Sequence, residues 1–391
     1  QRFAPFWSVG GGWNIHNEKF MKGSQVSLLK LRASVGYLGN INFNPYQALT
    51  TYSYNSSYFY GKGTGATPIT IGNPDLKWER TLSTNIGVDF TAFRGRVDLS
   101  ADYYIKNTDN LLLDITKAPS VGVTTSRENI GEVQNSGFEL RLRTFPIQNK
   151  DWQWSLGLTY AYNKNKIKKI SNSLREQNEK NKADNGVAPL PIYEEGQSLT
   201  ALKVVPSAGI DPVTGQEIFI KRDGTYTFVY DSNDKVIFGD TNPIGTGSIN
   251  SYLTYKRFAL SCSFLYSFGG SLYNETLATK VEGANPKYNA DERVLNDRWK
   301  TPGTIAKYKR IDDTTTPYQT SRFVEKNNFL RMSSLSLSYE VPTTFIQKYG
   351  LKRMFLELLT NDLFYLSTAK RERGLNYPYD RSFEFSVRFS L

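Results

Sequence analysis

Residues 73–108 read NPDLKWERTLSTNIGVDFTAFRGRVDLSADYYIKNT, and this stretch decides the fold. It contains two arms in which apolar and polar side chains alternate, joined by the tight turn Ala92–Gly95. Successive side chains of a β-strand point to opposite faces of a sheet, so each arm has one apolar and one polar face. The pattern therefore predicts an antiparallel hairpin. Its apolar face consists of Leu82, Thr84, Ile86, Val88 and Phe90 in the first arm and Val97, Leu99, Ala101, Tyr103 and Ile105 in the second.

The length of the arms indicates a membrane. Each arm is about ten residues long, which is the length of a strand that crosses a bilayer at a tilt of about 45°. Strands of soluble sheets are usually shorter, at about 5–6 residues. No stretch of the chain approaches the roughly 20 apolar residues of a membrane-spanning helix, as expected where only alternate side chains meet lipid.

Eleven stretches in all carry this alternation. Besides the two arms they are Phe3–Trp13, Ser27–Gly39, Glu132–Thr144, Trp152–Lys166, Ser248–Tyr255, Phe258–Phe268, Phe329–Val341, Met354–Phe364 and Phe383–Leu391. A phase slip predicts a β-bulge near Ser333 and Ser334. Val204–Val205 and Glu217–Ile220 are candidates for one additional strand pair, so the total is eleven or thirteen.

The connections between these stretches alternate between short and long along the whole chain, with Asn107–Gly131 among the long ones. An outer-membrane barrel has short periplasmic turns at one end and longer extracellular loops at the other. A large soluble β-sheet protein, the alternative, has no reason to keep every second connection short. An odd strand number would leave two sheet edges with unpaired backbone groups that lipid cannot satisfy. We therefore expect the C-terminal part of a larger, all-β transmembrane antiparallel barrel.

Composition argues against catalysis and nucleic-acid binding. The net charge is +11, but Lys and Arg are scattered over polar faces and loops, which favours anionic lipid or a solvated surface over nucleic acid. The single cysteine, Cys262, and the single histidine, His16, provide neither a metal cluster nor a catalytic triad. The carboxylates Asp89, Asp98 and Asp102 are expected to pair across strands with arginines, for which the candidates are Arg96, Arg141 and Arg143. We expect no enzyme, no metal and no cofactor.

Several blocks of the sequence resemble, in order, the SusC-like TonB-dependent outer-membrane transporters of Bacteroidota. Besides NPDLKWERT (Asn73–Thr81), they are RFAPFWSVGGGWNIHNEKFM (Arg2–Met21), LKLRASVGYLGN (Leu29–Asn40), NIGEVQNSGFELRL (Asn129–Leu142), GIDPVTGQ (Gly209–Gln216), GDTNPIGTGSINSYLTYKRFALS (Gly239–Ser261), NDRWKTPGT (Asn296–Thr304) and FLRMSSLSLSYEVP (Phe329–Pro342). The resemblance implies a 22-stranded barrel plugged by an N-terminal domain. Residues 1–391 would be its C-terminal part, with 11–13 strands and without the plug and the N-terminal strands.

The same resemblance implies a location in the outer membrane and the TonB-dependent import of oligosaccharides or peptides. The expected partners are a SusD-like surface lipoprotein, TonB through the missing N-terminal part, outer-membrane lipid and the substrate. The alternative function is a SusC-like barrel that acts as a scaffold subunit of another outer-membrane complex, without nutrient import.

Two groups of aromatic residues in the long connections are candidates for binding substrate or partner. The first group is Tyr52, Tyr54, Tyr58, Phe59 and Tyr60, and the second is Tyr226, Phe228 and Tyr230. Aromatic rings stack on the apolar faces of sugars, and their hydroxyls bind polar groups. Packing within the loops or against a partner is the alternative for both groups.

Overall fold

The computed structural model describes residues 6–40, 49–61, 63–285, 287–370, 372 and 380–390. Phe3 and Leu391, the outer ends of the first and last predicted strands, lie outside this described part. The strands are β1 (Trp7–Asn14), β2 (Val26–Asn40), β3 (Thr51–Tyr60), β4 (Gly63–Thr70), β5 (Glu79–Ala92), β6 (Val97–Thr116), β7 (Thr125–Gln148), β8 (Trp152–Ile170), β9 (Ala201–Val204), β10 (Ser207–Ile210), β11 (Glu217–Ile220), β12 (Tyr226–Thr227), β13 (Val236–Asp240), β14 (Gly245–Tyr255), β15 (Phe258–Tyr273), β16 (Val324–Glu340), β17 (Arg353–Asn361), β18 (Tyr365–Ser367) and β19 (Phe383–Ser390).

Helical segments are short and lie between strands. They are α1 (Asn172–Ala183), α2 (Arg293–Asn296), α3 (Thr343–Ile346), the π-helix Leu277–Glu282 and the 3-10 turns Ile15–Asn17, Lys19–Met21, Pro119–Val121, Ser232–Asp234, Ser321–Phe323 and Gln347–Tyr349. Within the described residues, none of the helices has the length and apolar character needed to cross a membrane.

One antiparallel sheet organises the chain, with the strand order β1-β2-β5-β6-β7-β8-β14-β15-β16-β17-β19. Eleven strands thus follow one another in sequence order, as predicted, and β18 pairs with β16 beside this path. The remaining strands form the separate sheets β3-β4, β9-β13 and β10-β11-β12.

The predicted apolar faces of neighbouring strands lie on the same side of the sheet. Ala33, Ile86, Tyr103, Phe138 and Tyr162 are paired in register from β2 to β8 and form one apolar row. Ile86 and Tyr103 have 59% and 49% of their surface exposed, although neither residue is polar. A row of large exposed apolar side chains is what a lipid-facing surface requires.

The predicted bulge is confirmed at Ser333. Ser263 of β15 is paired with Ser334 and the next residue, Phe264, with Met332, so Ser333 is the extra residue of β16. The hydroxyl of Ser333 donates a hydrogen bond to the carbonyl oxygen of Ser263 at 3.1 Å. One inserted residue shifts the phase of the strand, which is the slip visible in the sequence.

Two predictions about strand extent were wrong. Residues 107–131 are mostly strand rather than loop, because β6 and β7 continue until only residues 117–124 connect them. The pairing between β6 and β7 shifts register between Thr108 and Leu111, and Asn110 has a positive φ of 57°. This shift breaks the alternation while the strand continues, so the sequence pattern stops early.

The proposed pairing of Val204–Val205 with Glu217–Ile220 is also wrong. Glu217–Ile220 pairs with β10, Val204 pairs with Val236 of β13, and Val205 forms a parallel bridge with Thr320. These short strands belong to small sheets outside the main one, so within the described residues the main path has eleven strands and not thirteen.

Candidate binding surface of the long connections

The first aromatic group lies on the β3-β4 hairpin. Five of the ten residues of β3 are aromatic, and Tyr52 and Tyr54 are paired with Pro68 and Ala66 of β4. The exposed fractions of the side chains are high: Tyr52 59%, Tyr54 78%, Tyr58 53% and Phe59 78%. Tyr60 is the last residue of the same strand, and its side chain lies outside the described part of the structure. The hairpin therefore presents uncharged aromatic rings to solvent.

The second aromatic group is divided by the structure. Tyr226 and Phe228 are 70% and 53% exposed. Tyr230 instead stacks on Tyr318 with ring centroids 4.2 Å apart, and Phe219 meets the Tyr230 ring edge to face at 5.5 Å. The hydroxyl oxygen of Tyr230 is buried without a hydrogen-bond partner among the described residues, and burial raises its pKa. Tyr230 is thus a packing residue in this structure, whereas Tyr226 faces solvent.

Residues 171–244 and 274–323, the two longest connections, pack against each other, and we call them together the cap. Val205 N donates to the carbonyl oxygen of Gln319 at 3.0 Å, and Ser321 N donates to that of Val205 at 3.0 Å. Val204, Val205 and Thr320 are fully buried at this contact. A hydrophobic core of Ala278, Val281, Val294, Tyr308 and Phe323 lies beside it. The cap is therefore a folded body rather than a set of independent loops.

Three charged side chains are buried where the two connections of the cap meet. Arg322 Nε donates to Glu217 Oε1 at 2.7 Å, and Arg322 Nη1 donates to Glu282 Oε2 at 2.7 Å. The side chains of Arg322, Glu217 and Glu282 are 10%, 6% and 0% exposed. Burial acts to lower the pKa of Arg322, but the two carboxylates outweigh it and the pKa lies above its ordinary value. Sequence reasoning missed this triad because Glu217 and Arg322 are 105 positions apart and no local pattern marks them.

Arg293 of the cap pairs with the connection between β17 and β19. Arg293 donates to both carboxylate oxygens of Glu372, at 2.9 and 3.2 Å, and to those of Asp291, at 2.8 and 2.7 Å. Glu372 belongs to the connection between β17 and β19. The hydrogen bonds from Arg293 hold the pKa of Asp291 well below its usual range.

On the polar face of the main sheet, Asp89 and Asp102 pair with Arg32 and not with the predicted arginines Arg96, Arg141 or Arg143. Arg32 Nε lies 2.8 Å from Asp89 Oδ2, and Arg32 Nη2 lies 3.0 Å from Asp102 Oδ2. Gly87 is the β5 residue between Arg32 of β2 and Asp102 of β6. A Cβ atom at Gly87 would collide with Asp102 Oδ1, so the absence of a side chain lets Arg32 reach across β5. Asp98 lies opposite Arg143 in the register of β6 and β7.

The described residues do not form a metal centre. They contain no group of three or more His, Cys, Asp or Glu side chains placed to hold a metal ion. His16 Nδ1 lies 3.2 Å from the carbonyl oxygen of Leu29, and Cys262 is a half-buried free thiol on β15. What the long connections present to solvent is a set of exposed aromatic side chains.

Comparison with known proteins gives consistent matches. A family model described as TonB dependent receptor-like, beta-barrel, matches residues 2–193. TonB-dependent receptor P39 of Formosa agariphila is 26% identical over an alignment of 406 residues, and this alignment covers 93% of this chain and 39% of that receptor. TonB-dependent receptor SusC of Bacteroides thetaiotaomicron is 28% identical over 86% of this chain and 34% of its own length. The chain thus spans about two fifths or less of these relatives.

Two solved structures show the same fold. The RagAB peptide importer in its closed-closed state matches 98% of this chain and 43% of its own, with a TM-score of 0.81 and 24% identity. The structure of the RagAB peptide transporter matches 93% of this chain and 40% of its own, with a TM-score of 0.79 and 24% identity. At this level of identity the likeness concerns the fold alone.

Proposed function

We propose that this chain is part of a transporter that imports oligosaccharides or peptides with a SusD-like lipoprotein, and the match of residues 2–193 to the TonB dependent receptor-like, beta-barrel family model supports this proposal. The predicted resemblance to SusC-like proteins, the transmembrane antiparallel β-barrel fold and the outer-membrane location are confirmed. The import activity, the substrate and the partners form the proposal.

The observation that carries the proposal is the asymmetry of the two ends of the sheet. At one end the connections are as short as residues 149–151 and 256–257. At the other end residues 171–244 and 274–323 fold into the cap, with its own buried core. A barrel that only conducts small solutes does not need a folded body at its outer rim, whereas a transporter that captures large ligands with a partner does.

We place residues 1–391 in the C-terminal part of the barrel. β1 pairs only with β2, and β19 pairs only with β17, within the described residues. Backbone groups facing lipid must be hydrogen-bonded, so both edges require further strands. The remaining strands of a 22-stranded barrel would close the sheet between β1 and β19, and an N-terminal plug, through which TonB acts, would fill it.

The exposed aromatic residues supply the contact surface in this proposal. Tyr52, Tyr54 and Tyr58 on the hairpin, with Tyr60 in the same strand, and Tyr226 on β12 would meet the substrate or the lipoprotein. Tyr and Phe give large contact areas at low cost in conformational entropy, which suits a surface that binds and releases. Tyr230 would not contact the ligand itself but would hold the neighbouring loop in place through its stack on Tyr318.

Growth and uptake test the import function. The gene for the full-length protein is deleted in its host, and growth is measured on single oligosaccharide or peptide sources, with and without functional TonB. We expect at least one source to require both the transporter and TonB. Normal growth of the deletion strain on every source, with the protein still recovered in a stable outer-membrane complex, would reject import and favour the scaffold function.

Co-purification tests the lipoprotein partner. We expect the double variant Tyr52→Ser/Tyr54→Ser to retain less of a tagged SusD-like lipoprotein than the wild type. Tyr349→Ser is the matched control, because Tyr349 is 69% exposed and lies in a short connection at the opposite end of the sheet. Deleting residues 269–327 would be a poorer probe, since it also removes Arg322 from buried Glu217. Equal recovery with both variants would contradict a hairpin contact.

A further inference from the structure

The cap contains a π-helix, Leu277–Glu282, which is an uncommon element. Its backbone closes with a hydrogen bond from Gly283 N to the carbonyl oxygen of Ala278 at 2.8 Å. Single π turns occur mostly within helices and frequently at functional sites, because they cost stability and persist only where the surroundings hold them. Two questions follow: what holds this helix, and what its exposed side lines.

The inner side of the π-helix is held by buried groups. Ala278 and Val281 are fully buried in the core of the cap. Arg298, 5% exposed, donates from Nη2 to the carbonyl oxygens of Val281 and Glu282 at 2.7 and 2.8 Å. The Glu282 carboxylate is bound in turn by Arg322. The helix is therefore fixed at its C-terminal end by two guanidinium groups, and sites on such supported elements keep their geometry.

The outer side of the π-helix lines an open groove. Its lining includes Thr276, Thr279 and Lys280 together with residues 275, 283–285 and 288–291. The ring of Tyr288 is 75% exposed in this groove, and Asn289 lies next to it. Val, Leu, Ile, Met and Phe are absent from the described lining of the groove. The side chains of Thr276, Lys280 and Asn289 form no hydrogen bond or ion pair with another described residue.

We propose that this groove is a carbohydrate subsite, in which Tyr288 stacks on a sugar ring while Thr276, Lys280 and Asn289 bind hydroxyl groups. Hydroxyl, amide and ammonium groups around one aromatic face match the alternating apolar and hydroxylated surfaces of a pyranose. The lining contains no large aliphatic side chain, so a peptide with apolar side chains would find no matching pocket in it. The inference rests on the proposed import function, and it selects oligosaccharides over peptides for this groove.

Binding to the full-length protein, purified in detergent, tests the subsite. The probes are hexasaccharides of glucose, xylose and mannose in different linkages, together with a mixture of decapeptides. Affinity is measured by calorimetry, and the reactivity of Lys280 towards an acetylating reagent is measured by mass spectrometry. We expect at least one hexasaccharide to bind and to protect Lys280. Tyr288→Ala should weaken its binding about tenfold, the usual effect of losing one stacking ring.

The controls separate the groove from the rest of the surface. Tyr349→Ala removes an equally exposed tyrosine from the other end of the sheet and should leave both readouts unchanged. Asn289→Ala should weaken sugar binding without changing the protein's thermal stability. The proposal is overturned if no hexasaccharide binds, if Tyr288→Ala binds as the wild type does, or if decapeptides rather than sugars protect Lys280. Protection of Lys280 without TonB-dependent uptake would keep the subsite and reject import, and uptake without protection would reject the subsite alone.

Discussion

The main sheet and the cap place their apolar residues in opposite environments. In the sheet, isoleucines such as Ile86 are exposed because lipid is their solvent, and stability comes from backbone ladders between neighbouring strands. In the cap, the apolar residues are buried in a core, and charged residues such as Arg322 are buried with them. The comparison shows that part of this chain is folded against lipid and part against water. An exposed apolar side chain is therefore favourable in the first environment and unfavourable in the second.

The largest expected effect comes from breaking the buried triad. Arg322→Ala leaves the carboxylates of Glu217 and Glu282 buried without their cation, which should destabilise the cap by about 3–5 kcal/mol. The matched control is Arg310→Ala, because Arg310 pairs with Asp312 on the exposed surface, where such a pair contributes little to stability. Hydrogen exchange at Val281 and Phe323, compared with exchange in β5 and β6, measures the loss. Equal exchange in both variants would show that the cap does not depend on the triad.

The next largest effect compares a charged substitution on the lipid-facing surface with the same substitution on the water-facing surface. Ile86→Arg places a charge near the middle of a lipid-facing row and should cost about 2–4 kcal/mol. Ile305→Arg changes the same residue type at a position of the cap that is 93% exposed, and should stay within about 0.5 kcal/mol of the wild type. The measurement is the folded fraction in lipid vesicles as a function of urea. Similar losses for the two variants would refute the assignment of the apolar face to lipid.

A smaller effect distinguishes the buried tyrosine from the exposed ones. Tyr230→Phe removes a buried hydroxyl that has no hydrogen-bond partner among the described residues, so the cap should be unchanged or more stable by up to about 1 kcal/mol. Tyr54→Phe, on the exposed hairpin, should leave stability unchanged. Exchange protection at Phe219 and Tyr318 reports on the cap. A clear loss of protection in Tyr230→Phe would mean that the hydroxyl has a partner, such as an ordered water.

The smallest effect depends on pH. The pKa of Asp291 is lowered in the folded protein, so its contribution to stability is fully present above the unfolded value of about 4 and is lost as the pH falls through the lowered pKa. Asp291→Asn should therefore differ from the wild type at pH 5–7, by less than about 1 kcal/mol for a partly exposed pair, and the difference should shrink below about pH 4. Exchange around Arg293 at several pH values is the measurement, and a difference that grows on acidification would contradict it.

The parts of the fold that follow from local period-two alternation could be predicted. This holds for the eleven-stranded path, the faces of β5 and β6 and the bulge at Ser333, since each is set by residues close together in the chain or in adjacent strands. Prediction from alternation fails where a register shift interrupts the period of two, as at Asn110. It also fails where Gly87 of β5 leaves room for Arg32 of β2 to pair with Asp102 of β6.

The cap could not be predicted in the same way. Its contacts join residues about a hundred positions apart, such as Glu217 with Arg322, and its short strands carry no long pattern. The exposed hairpin tyrosines were found because aromatic residues are dense there, but composition could not separate Tyr226, which faces solvent, from Tyr230, which packs on Tyr318. The groove over the π-helix was missed, because its residues are polar and ordinary one by one.

The length of β7 determines how far the sheet extends beyond the lipid. β7 has 24 residues. At about 3.3 Å per residue and a tilt of about 40°, such a strand reaches roughly 60 Å along the membrane normal, against a hydrocarbon-facing band of about 25 Å. Much of β6 and β7 therefore extends beyond the bilayer, and residues 117–124 connect their outer ends. The connection at residues 117–124 therefore lies well outside the hydrocarbon-facing band, where its surroundings are water and not lipid.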